Sequence, residues 1–153
     1  MGLFLDGDGI PMSFDMFAGN TNEQVTLKPL EEQIIEDFHS SKFVVCTDAG
    51  LASNTNRKFN NINGRSFIIT QSIKKLKLHL KEWAFDLTSG WKLNGSDKAY
   101  NISKLRENEE LMEQYYNKTF YKERWINENG LEQRIIVTYS VKYQEYQKKI
   151  REN

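Results

Sequence analysis

The residue whose type and position best fit a chemical role is Asp48. It directly follows the short apolar run 43–47, and the small residues Ala49 and Gly50 come after it. In open α/β sheets, ligand and catalytic groups gather at the carboxyl ends of strands, and a carboxylate there can bind Mg²⁺ through its oxygens. The same pattern fits a structural role, in which Asp48 caps the next helix or closes the turn. Asp48 is therefore a candidate metal ligand with a structural alternative.

The other acidic, thiol and imidazole side chains fit structural roles better than catalytic ones. Asp6 and Asp8 belong to an Asp-Gly-Asp-Gly segment, which is typical of a turn. Cys46 lies inside the apolar run, where a thiol packs as a small hydrophobe. His39 follows a predicted helix, where its partial positive charge suits the helix dipole, and His79 lies among lysines. Neither histidine has a partner at catalytic spacing, and no Walker or Gly-x-Ser-x-Gly motif occurs.

Basic side chains concentrate in two clusters. The denser cluster consists of Lys74, Lys75, Lys77 and Lys81, with Arg65 nearby. The second consists of Lys142, Lys148, Lys149 and Arg151. Both clusters can contact phosphate groups, and both also fit the solvated face of an ordinary helix. We take the denser cluster, including Arg65, as the candidate nucleic-acid-binding set.

Composition excludes several classes of protein. The 153 residues include 21 Lys and Arg and 21 Asp and Glu, so the net charge is zero, unlike that of a polybasic DNA binder. A single cysteine excludes an intramolecular disulfide and a cysteine-based zinc site, and it favours a reducing compartment. The longest apolar runs are far shorter than the roughly 20 residues that span a bilayer. The first residues match neither a signal peptide nor a complete myristoylation motif. The sequence therefore predicts a globular cytoplasmic protein with no membrane partner.

The elements that must position Asp48 alternate between strands and helices. Their predicted order is hairpin, helix, strand, helix, strand, over residues 3–17, 26–39, 43–47, 53–62 and 66–70. The first helix is predicted to be capped by Thr26, with Pro29 in its first turn. Its apolar face carries Leu27, Leu30, Ile34 and Phe38, and its polar face carries Glu31, Glu32 and Glu36. The continuously apolar run 43–47 predicts a strand buried on both faces. This order predicts a layered α/β sheet.

The second half of the chain is more mixed. Residues 73–83 fit a helix, 86–101 look irregular, and 103–116 fit a short acidic helix. Asn129-Gly130 is a strong hairpin signal and lies between the alternating segments 119–126 and 131–139. A final helix is predicted after Ser140, in which Tyr143, Tyr146 and Ile150 repeat at helical spacing.

Several short motifs resemble one family of enzymes. Val44-Val45-Cys46-Thr47-Asp48-Ala49-Gly50-Leu51 resembles the second-aspartate motif of bacterial insertion-sequence transposases of the DDE type. The segment 2–11 resembles the hairpin before that motif, and Phe17-Ala18-Gly19-Asn20-Thr21 resembles the family's Gly-Asn-Thr turn. The segment 134–140, followed by Tyr143, Tyr146, Gln147 and Arg151, resembles a stretch before the third acidic residue in one branch. The motifs occur in collinear order through most of the chain.

The resemblance implies an RNase H-like fold and DNA transposition by metal-dependent phosphoryl transfer. In that family three carboxylates hold two divalent ions, Mg²⁺ or Mn²⁺, which activate water or a DNA 3′-hydroxyl and stabilise the leaving oxygen. The resemblance carries over Asp48 as a catalytic metal ligand. It places the first aspartate on a strand before the hairpin and the third acid, a glutamate, on a helix beyond residue 153.

Tyr121, Arg124 and Glu128 match the Tyr-x-x-Arg-x-x-x-Glu spacing of the family's third-acid signature. The Asn129-Gly130 turn and the alternating flanks favour a hairpin here, whereas the signature belongs to a helix. We therefore interpret the match as a coincidence and the hairpin as part of the β-rich insertion that these transposases carry.

The resulting hypothesis is an internal fragment of a DDE transposase. Residues 1–72 are predicted to form a partial RNase H-like mixed sheet flanked by helices, and 73–153 a helix, a β-hairpin-containing insertion and a C-terminal helix. We expect the isolated chain to be catalytically inactive, with DNA at the transposon ends as its partner. The expected location is the bacterial cytoplasm, at the nucleoid when the protein is on DNA. The alternative is a non-catalytic transposase remnant that binds DNA or protein.

The implied fold has a consequence for strand edges. The family's first strand lies between the hairpin and the 43–47 strand, and its absence leaves two edges unpaired. Because exposed edges recruit other strands, we expect a homodimer formed through a strand edge, direct pairing of the hairpin with 43–47, or poor solubility.

Overall fold

The computed structural model describes residues 2–39 and 42–152. The chain divides after Lys75 into two compact units. The boundary predicted from the sequence lay after residue 72. The described residues form a mixed α/β architecture of six α-helices and three small sheets. The mixed α/β class is therefore confirmed. Within the described ranges no helix is both long and apolar enough to cross a membrane.

The first unit contains two separate two-stranded sheets. Strands β1 (Gly2–Leu5) and β2 (Pro11–Asp15) form the predicted antiparallel hairpin. Helix α1 (Glu23–Phe38) follows, and then β3 (Val44–Thr47) pairs in parallel with β4 (Ser66–Ile69) across helix α2 (Asn54–Phe59). In the described residues no ladder of hydrogen bonds joins the hairpin to β3. Direct pairing of these segments, one of the three expected outcomes, is therefore not what the chain adopts.

Helix α1 begins earlier than the sequence predicted. Asn22 is its N-cap, and the Asn22 side chain accepts a hydrogen bond from the backbone N–H of Gln24 at 3.0 Å. Thr26 lies inside the helix, where its hydroxyl donates to the Glu23 carbonyl at 2.8 Å. Pro29 consequently lies in the helix interior, where it removes one helical donor. Pro29 is exposed, so the carbonyl that loses its partner lies on the solvent side of the helix.

Strand β3 is covered on one face only, so the prediction of burial on both faces is wrong. Val45 is 4% exposed, whereas Val44 on the opposite face is 57% exposed. Cys46 is also exposed and is not a core thiol. It lies opposite Ile68 of β4, which is 65% exposed. The run of apolar residues specified a strand, but a second covering layer is a tertiary feature that such a run does not specify.

The second unit contains the remaining helices and one antiparallel sheet. Its elements are α3 (Leu78–Phe85), β5 (Lys92–Leu93), α4 (Ile102–Arg106), α5 (Glu109–Gln114), β6 (Phe120–Glu128), β7 (Leu131–Tyr139) and α6 (Val141–Glu152). The predicted helix over 73–83 is instead a 3₁₀ turn at Ile73–Lys75 followed by α3. The predicted helix over 103–116 is two short helices because Asn101 and Asn108 each cap a new one.

The hairpin of β6 and β7 is confirmed. The strands pair in antiparallel register as far as Glu128 opposite Leu131. Asn129 and Gly130 form the turn with positive φ values of 55° and 76°. Two consecutive left-handed residues are characteristic of a type I′ turn, whose twist matches that of the flanking strands.

The core of the second unit is built from five buried apolar residues, namely Trp91, Ile102, Leu105, Phe120 and Val141. The Phe120 ring meets the Tyr100 ring edge-on, with centroids 5.1 Å apart. Lys122 lies on the same face of β6 as Phe120 and is only 2% exposed. Its ammonium group donates to the carbonyl oxygens of Trp83 and Asp86 and therefore joins the sheet to the end of α3.

Candidate metal site and nucleic-acid-binding residues

Asp48 directly follows β3, where the sequence placed it, and its side chain is exposed. Its backbone is extended, and Oδ1 accepts a hydrogen bond from the Gly50 N–H at 2.8 Å. Asp48 therefore caps the 3₁₀ turn Ala49–Leu51, which is the structural role considered as the alternative to metal binding. Among the described residues β3 pairs with β4 alone, so the strand before Asp48 is one of a two-stranded pair.

A second carboxylate, which sequence reasoning missed, lies near Asp48. Glu23 is the first residue of α1, and a Cβ built on Gly50 would lie 3.3 Å from Glu23 Oε2 and 3.1 Å from Asp48 Oδ1. The two carboxylates therefore flank the same backbone position from different elements. The absence of a side chain at Gly50 leaves the space that both oxygens use. No sequence signal linked these residues, because Glu23 and Asp48 lie far apart in the chain.

Asn56 holds the Asp48 turn to the rest of the first unit. Its amide Nδ2 donates to the Leu51 carbonyl at 3.0 Å and to the Gln24 carbonyl at 2.9 Å. Asn56 is only 2% exposed and lies in the first turn of α2, after the N-cap Ser53. One amide therefore joins α2 to the turn after Asp48 and to the first turn of α1.

The family's two-ion centre requires more ligands than these residues offer. Asp48 and Glu23 supply two carboxylates, and the described residues contain no group of three or more His, Cys, Asp or Glu side chains that could hold a metal ion. Two ions about 3.5–4 Å apart are held by several shared carboxylates. The described part of the chain alone therefore does not fit that centre, and we assign no chemical step to a metal ion in it.

A buried acid lies deeper in the same unit. Glu31 of α1 is 0% exposed, and its two carboxylate oxygens accept from the Asn60 amide Nδ2 at 2.8 and 3.0 Å. Burial raises the pKa of Glu31 from 4.5 to about 7, against the lowering effects of the Asn60 hydrogen bond and the Arg65 charge. Its assignment to the polar face of α1 is therefore wrong. The signal was present in the sequence, since residue 31 is one helical turn from both Leu27 and Ile34.

The candidate nucleic-acid-binding set is divided between the two units, and one of its members is buried. Arg65 is 7% exposed, and its guanidinium donates to the Phe59 carbonyl at 2.7 and 3.1 Å and lies over the Phe59 ring. These contacts direct Arg65 inward and not toward a phosphate. Lys74 and Lys75 are exposed on the 3₁₀ turn that ends the first unit. Lys77 and Lys81 belong to the second unit, where Lys77 forms an ion pair with Glu128 at 3.6 Å.

The residues that match the third-acid signature lie on a strand, as interpreted from the sequence. Tyr121, Arg124 and Glu128 are all part of β6. Because successive side chains of a strand alternate between its faces, Tyr121 and Arg124 lie on opposite faces. The three residues therefore do not share one surface as they would on a helix.

The remaining acidic and imidazole candidates have structural surroundings. Asp6 Oδ1 accepts from the backbone N–H groups of Asp8 and Ile10, at 2.9 and 2.8 Å, and so closes the hairpin turn as expected. His39 is the C-cap of α1 in a left-handed conformation with φ 51°. His79 is exposed on α3.

Comparison with known proteins adds no relative, because the chain matches no family model, no curated protein and no solved structure.

Proposed function

We propose that this chain is an internal part of an insertion-sequence transposase of the DDE type, in which Asp48 supplies one metal-binding carboxylate for phosphoryl transfer on DNA. The observation that carries the proposal is the order of elements around Asp48. An antiparallel hairpin, a helix and a parallel strand pair follow one another, and Asp48 directly follows the first parallel strand. This is the order that the sequence resemblance implies for an RNase H-like core.

The division of the unit into two sheets supports the same proposal. Strands β1 and β2 form one pair, and β3 and β4 form another. An RNase H-like core has one further strand between such pairs, and the resemblance places that strand before the hairpin. The Asp48 carboxylate would then lie beside the aspartate of that strand, where Mg²⁺ or Mn²⁺ would supply the electrostatic stabilisation of phosphoryl transfer.

The test begins with the flanking reading frame. We expect an aspartate-bearing strand upstream and a glutamate-bearing helix downstream. The protein that contains these segments should cut DNA carrying the transposon ends in the presence of Mn²⁺, and Asp48→Asn should abolish cutting while DNA binding remains. Asp6→Asn is the matched control, since Asp6 only closes a turn. Retention of full cleavage by Asp48→Asn would refute the assigned role, and an unrelated flanking frame would refute the family.

A non-catalytic DNA-binding remnant is the second candidate, and exposed lysines favour it. Lys74 and Lys75 project from a turn that also lies next to the unit boundary. If both lysines contact phosphates, changing both to Gln should weaken binding to duplex DNA. The slope of the logarithm of the binding constant against the logarithm of the salt concentration should also become shallower by about 1 per lysine. The control is Lys92→Gln on β5, since Lys92 is exposed and belongs to neither basic cluster. If the protein encoded by the full reading frame binds DNA in a salt-dependent way and does not cleave it, this candidate is favoured.

A further inference from the structure

Helices α1 and α2 are joined by one buried contact between an acid and an amide. Glu31 on α1 is 0% exposed and Asn60, the C-cap of α2, is 2% exposed. A single amide nitrogen of Asn60 serves both carboxylate oxygens, at 2.8 and 3.0 Å. The amide oxygen Oδ1 of the same Asn60 is buried without a hydrogen-bond partner. The contact is therefore only half complete.

The chemistry of the two groups explains why the contact is incomplete. An ionised carboxylate only accepts hydrogen bonds, and an amide oxygen also only accepts. Ionised Glu31 therefore cannot satisfy Asn60 Oδ1. A protonated Glu31 has an O–H that can donate to Oδ1 while the Asn60 amide nitrogen donates to the remaining carboxyl oxygen. In the resulting cyclic pair both carboxyl oxygens, the Asn60 nitrogen and Asn60 Oδ1 all take part in hydrogen bonds. Forming it requires only a proton from water and a small rotation of the Asn60 amide.

The charged groups around Glu31 do not replace this pair. Arg65 is the nearest cation and favours the ionised acid, but its guanidinium is hydrogen-bonded to the Phe59 carbonyl. Glu32 adds like charge, which opposes ionisation. Among the described residues no basic group forms an ion pair with Glu31 within 4.0 Å. Burial is the dominant influence and places the pKa of Glu31 at about 7, within the physiological range.

We propose that Glu31 and Asn60 form a proton-operated latch between α1 and the end of α2. When Glu31 is protonated, two complementary hydrogen bonds hold the helices together. When it is ionised, a buried charge and an unpaired amide oxygen weaken the contact. The same α2 carries Asn56, which binds the Leu51 and Gln24 carbonyls. The latch therefore sets how firmly α2 holds the turn after Asp48, whatever reaction that residue serves.

The sign of the effect follows from proton linkage. The pKa of Glu31 is higher in the folded chain than its ordinary value of 4.5. The folded state therefore binds more protons than the unfolded state between about pH 4.5 and 7, and folding weakens as pH rises through this window. Amide protection in α1 and α2 is therefore expected to fall by up to about tenfold per pH unit within this window. Above the window it should not change further with pH.

The experiment is amide hydrogen exchange of the full chain from pH 5 to pH 8, corrected for the intrinsic exchange rate. Glu31→Gln is the informative variant, because a Gln amide can donate to Asn60 Oδ1 and accept from its nitrogen, as the protonated acid does. This variant should show high and pH-independent protection in α2 and in the 49–51 turn. Glu36→Gln is the control, since Glu36 is exposed on the same helix and does not contribute to the Glu31 shift, and it should keep the wild-type pH dependence.

Two results would overturn the proposal. One is a wild-type α2 whose corrected protection does not change with pH. The other is the same pH dependence in Glu31→Gln as in the wild type. A ¹³C NMR titration of the glutamate carboxyl groups keeps the test decisive if the variant does not fold. One wild-type glutamate should titrate near pH 7, and titration of every glutamate below pH 5 would also refute the latch.

Discussion

Lys122 of β6 is a buried cation, and its removal should destabilise the second unit. It is only 2% exposed, and its ammonium nitrogen lies 2.6 Å from the Asp86 carbonyl oxygen and also donates to the Trp83 carbonyl. The nitrogen lies 4.7 Å from the centroid of the Trp91 ring and 5.1 Å from that of Trp83. The substitution Lys122→Met keeps the apolar stem and roughly the volume, and it removes only the charge and its donors.

The expected loss of stability in Lys122→Met is the balance of opposing contributions. Two hydrogen bonds from a charged donor contribute about 1.5–3 kcal/mol each, and the indole faces add about 1 kcal/mol. Burial of the ammonium group costs several kcal/mol, and the same burial lowers the pKa of Lys122. The Asp86 carbonyl keeps a donor in the variant, the Trp91 indole N–H at 2.9 Å, whereas the Trp83 carbonyl loses its lysine donor. The net expectation is a decrease of about 2 kcal/mol in the free energy of unfolding, since breaking a buried polar contact from one side is destabilising.

The chain offers a direct assay. All 3 tryptophans, Trp83, Trp91 and Trp125, lie in the second unit, so urea unfolding followed by tryptophan fluorescence reports on that unit. Lys142→Met on α6 is the matched control, since Lys142 is exposed. It should change the free energy of unfolding by less than about 0.5 kcal/mol.

The pH dependence gives a second readout of Lys122. Because its pKa is lowered in the folded state, the folded chain binds fewer protons than the unfolded chain as pH rises toward 10.5. The wild type should therefore gain stability relative to Lys122→Met between the lowered pKa and 10.5. A variant as stable as the wild type, or more stable, would show that the cost of burying the ammonium group exceeds its contacts, and our reasoning would be wrong.

Three further predictions concern local structure and assembly. Gly130→Ala should lower the free energy of urea unfolding by about 1 kcal/mol, because a φ of 76° is strained for a residue with a Cβ. Gly7→Ala is the control, since Gly7 has open space around it, and an equal effect there would argue against this cause. Asn22→Ala should lower the stability of α1 by about 1 kcal/mol in hydrogen exchange, and failure of Asn22→Ser to restore it would exclude capping as the reason. Light scattering should show a dimer or poor solubility if the unpaired strand edges recruit other strands, whereas a soluble monomer with fast exchange in both 2–5 and 43–47 would contradict the implied fold.

Local signals predicted the elements well where one conformation had no competitor. Asn129-Gly130 specified its turn because few residue pairs accept two positive φ values in succession. The start of α1 was missed because Asn22 and Thr26 are both good caps, and the structure uses the earlier one. The helix predicted over 73–83 failed for a similar reason, since its apolar spacing does not reveal the break before Leu78.

The candidate site was predicted only in part. Asp48 could be placed at the end of a strand because the apolar run and the turn that follows it are local features. Its neighbour Glu23 and its support Asn56 could not, because contacts between residues far apart in the chain depend on how helices pack. The sequence resemblance supplied a role for Asp48, and the structure supplied its surroundings.

The sequence by itself determined the order of strands and helices in the first unit, the turn of the second hairpin and the position of Asp48, because these depend on neighbouring residues. Only the tertiary structure decided which charged groups are buried. Arg65 and Lys122 look like surface residues in the sequence, yet they are 7% and 2% exposed. Glu31 is 0% exposed, and the helical spacing was the one sequence signal for its burial. Each is buried because a distant partner, Asn60, the Phe59 carbonyl or the end of α3, compensates for lost water. A charge enters a protein interior only where the fold supplies such a partner, and pairing between distant segments is a property of the fold.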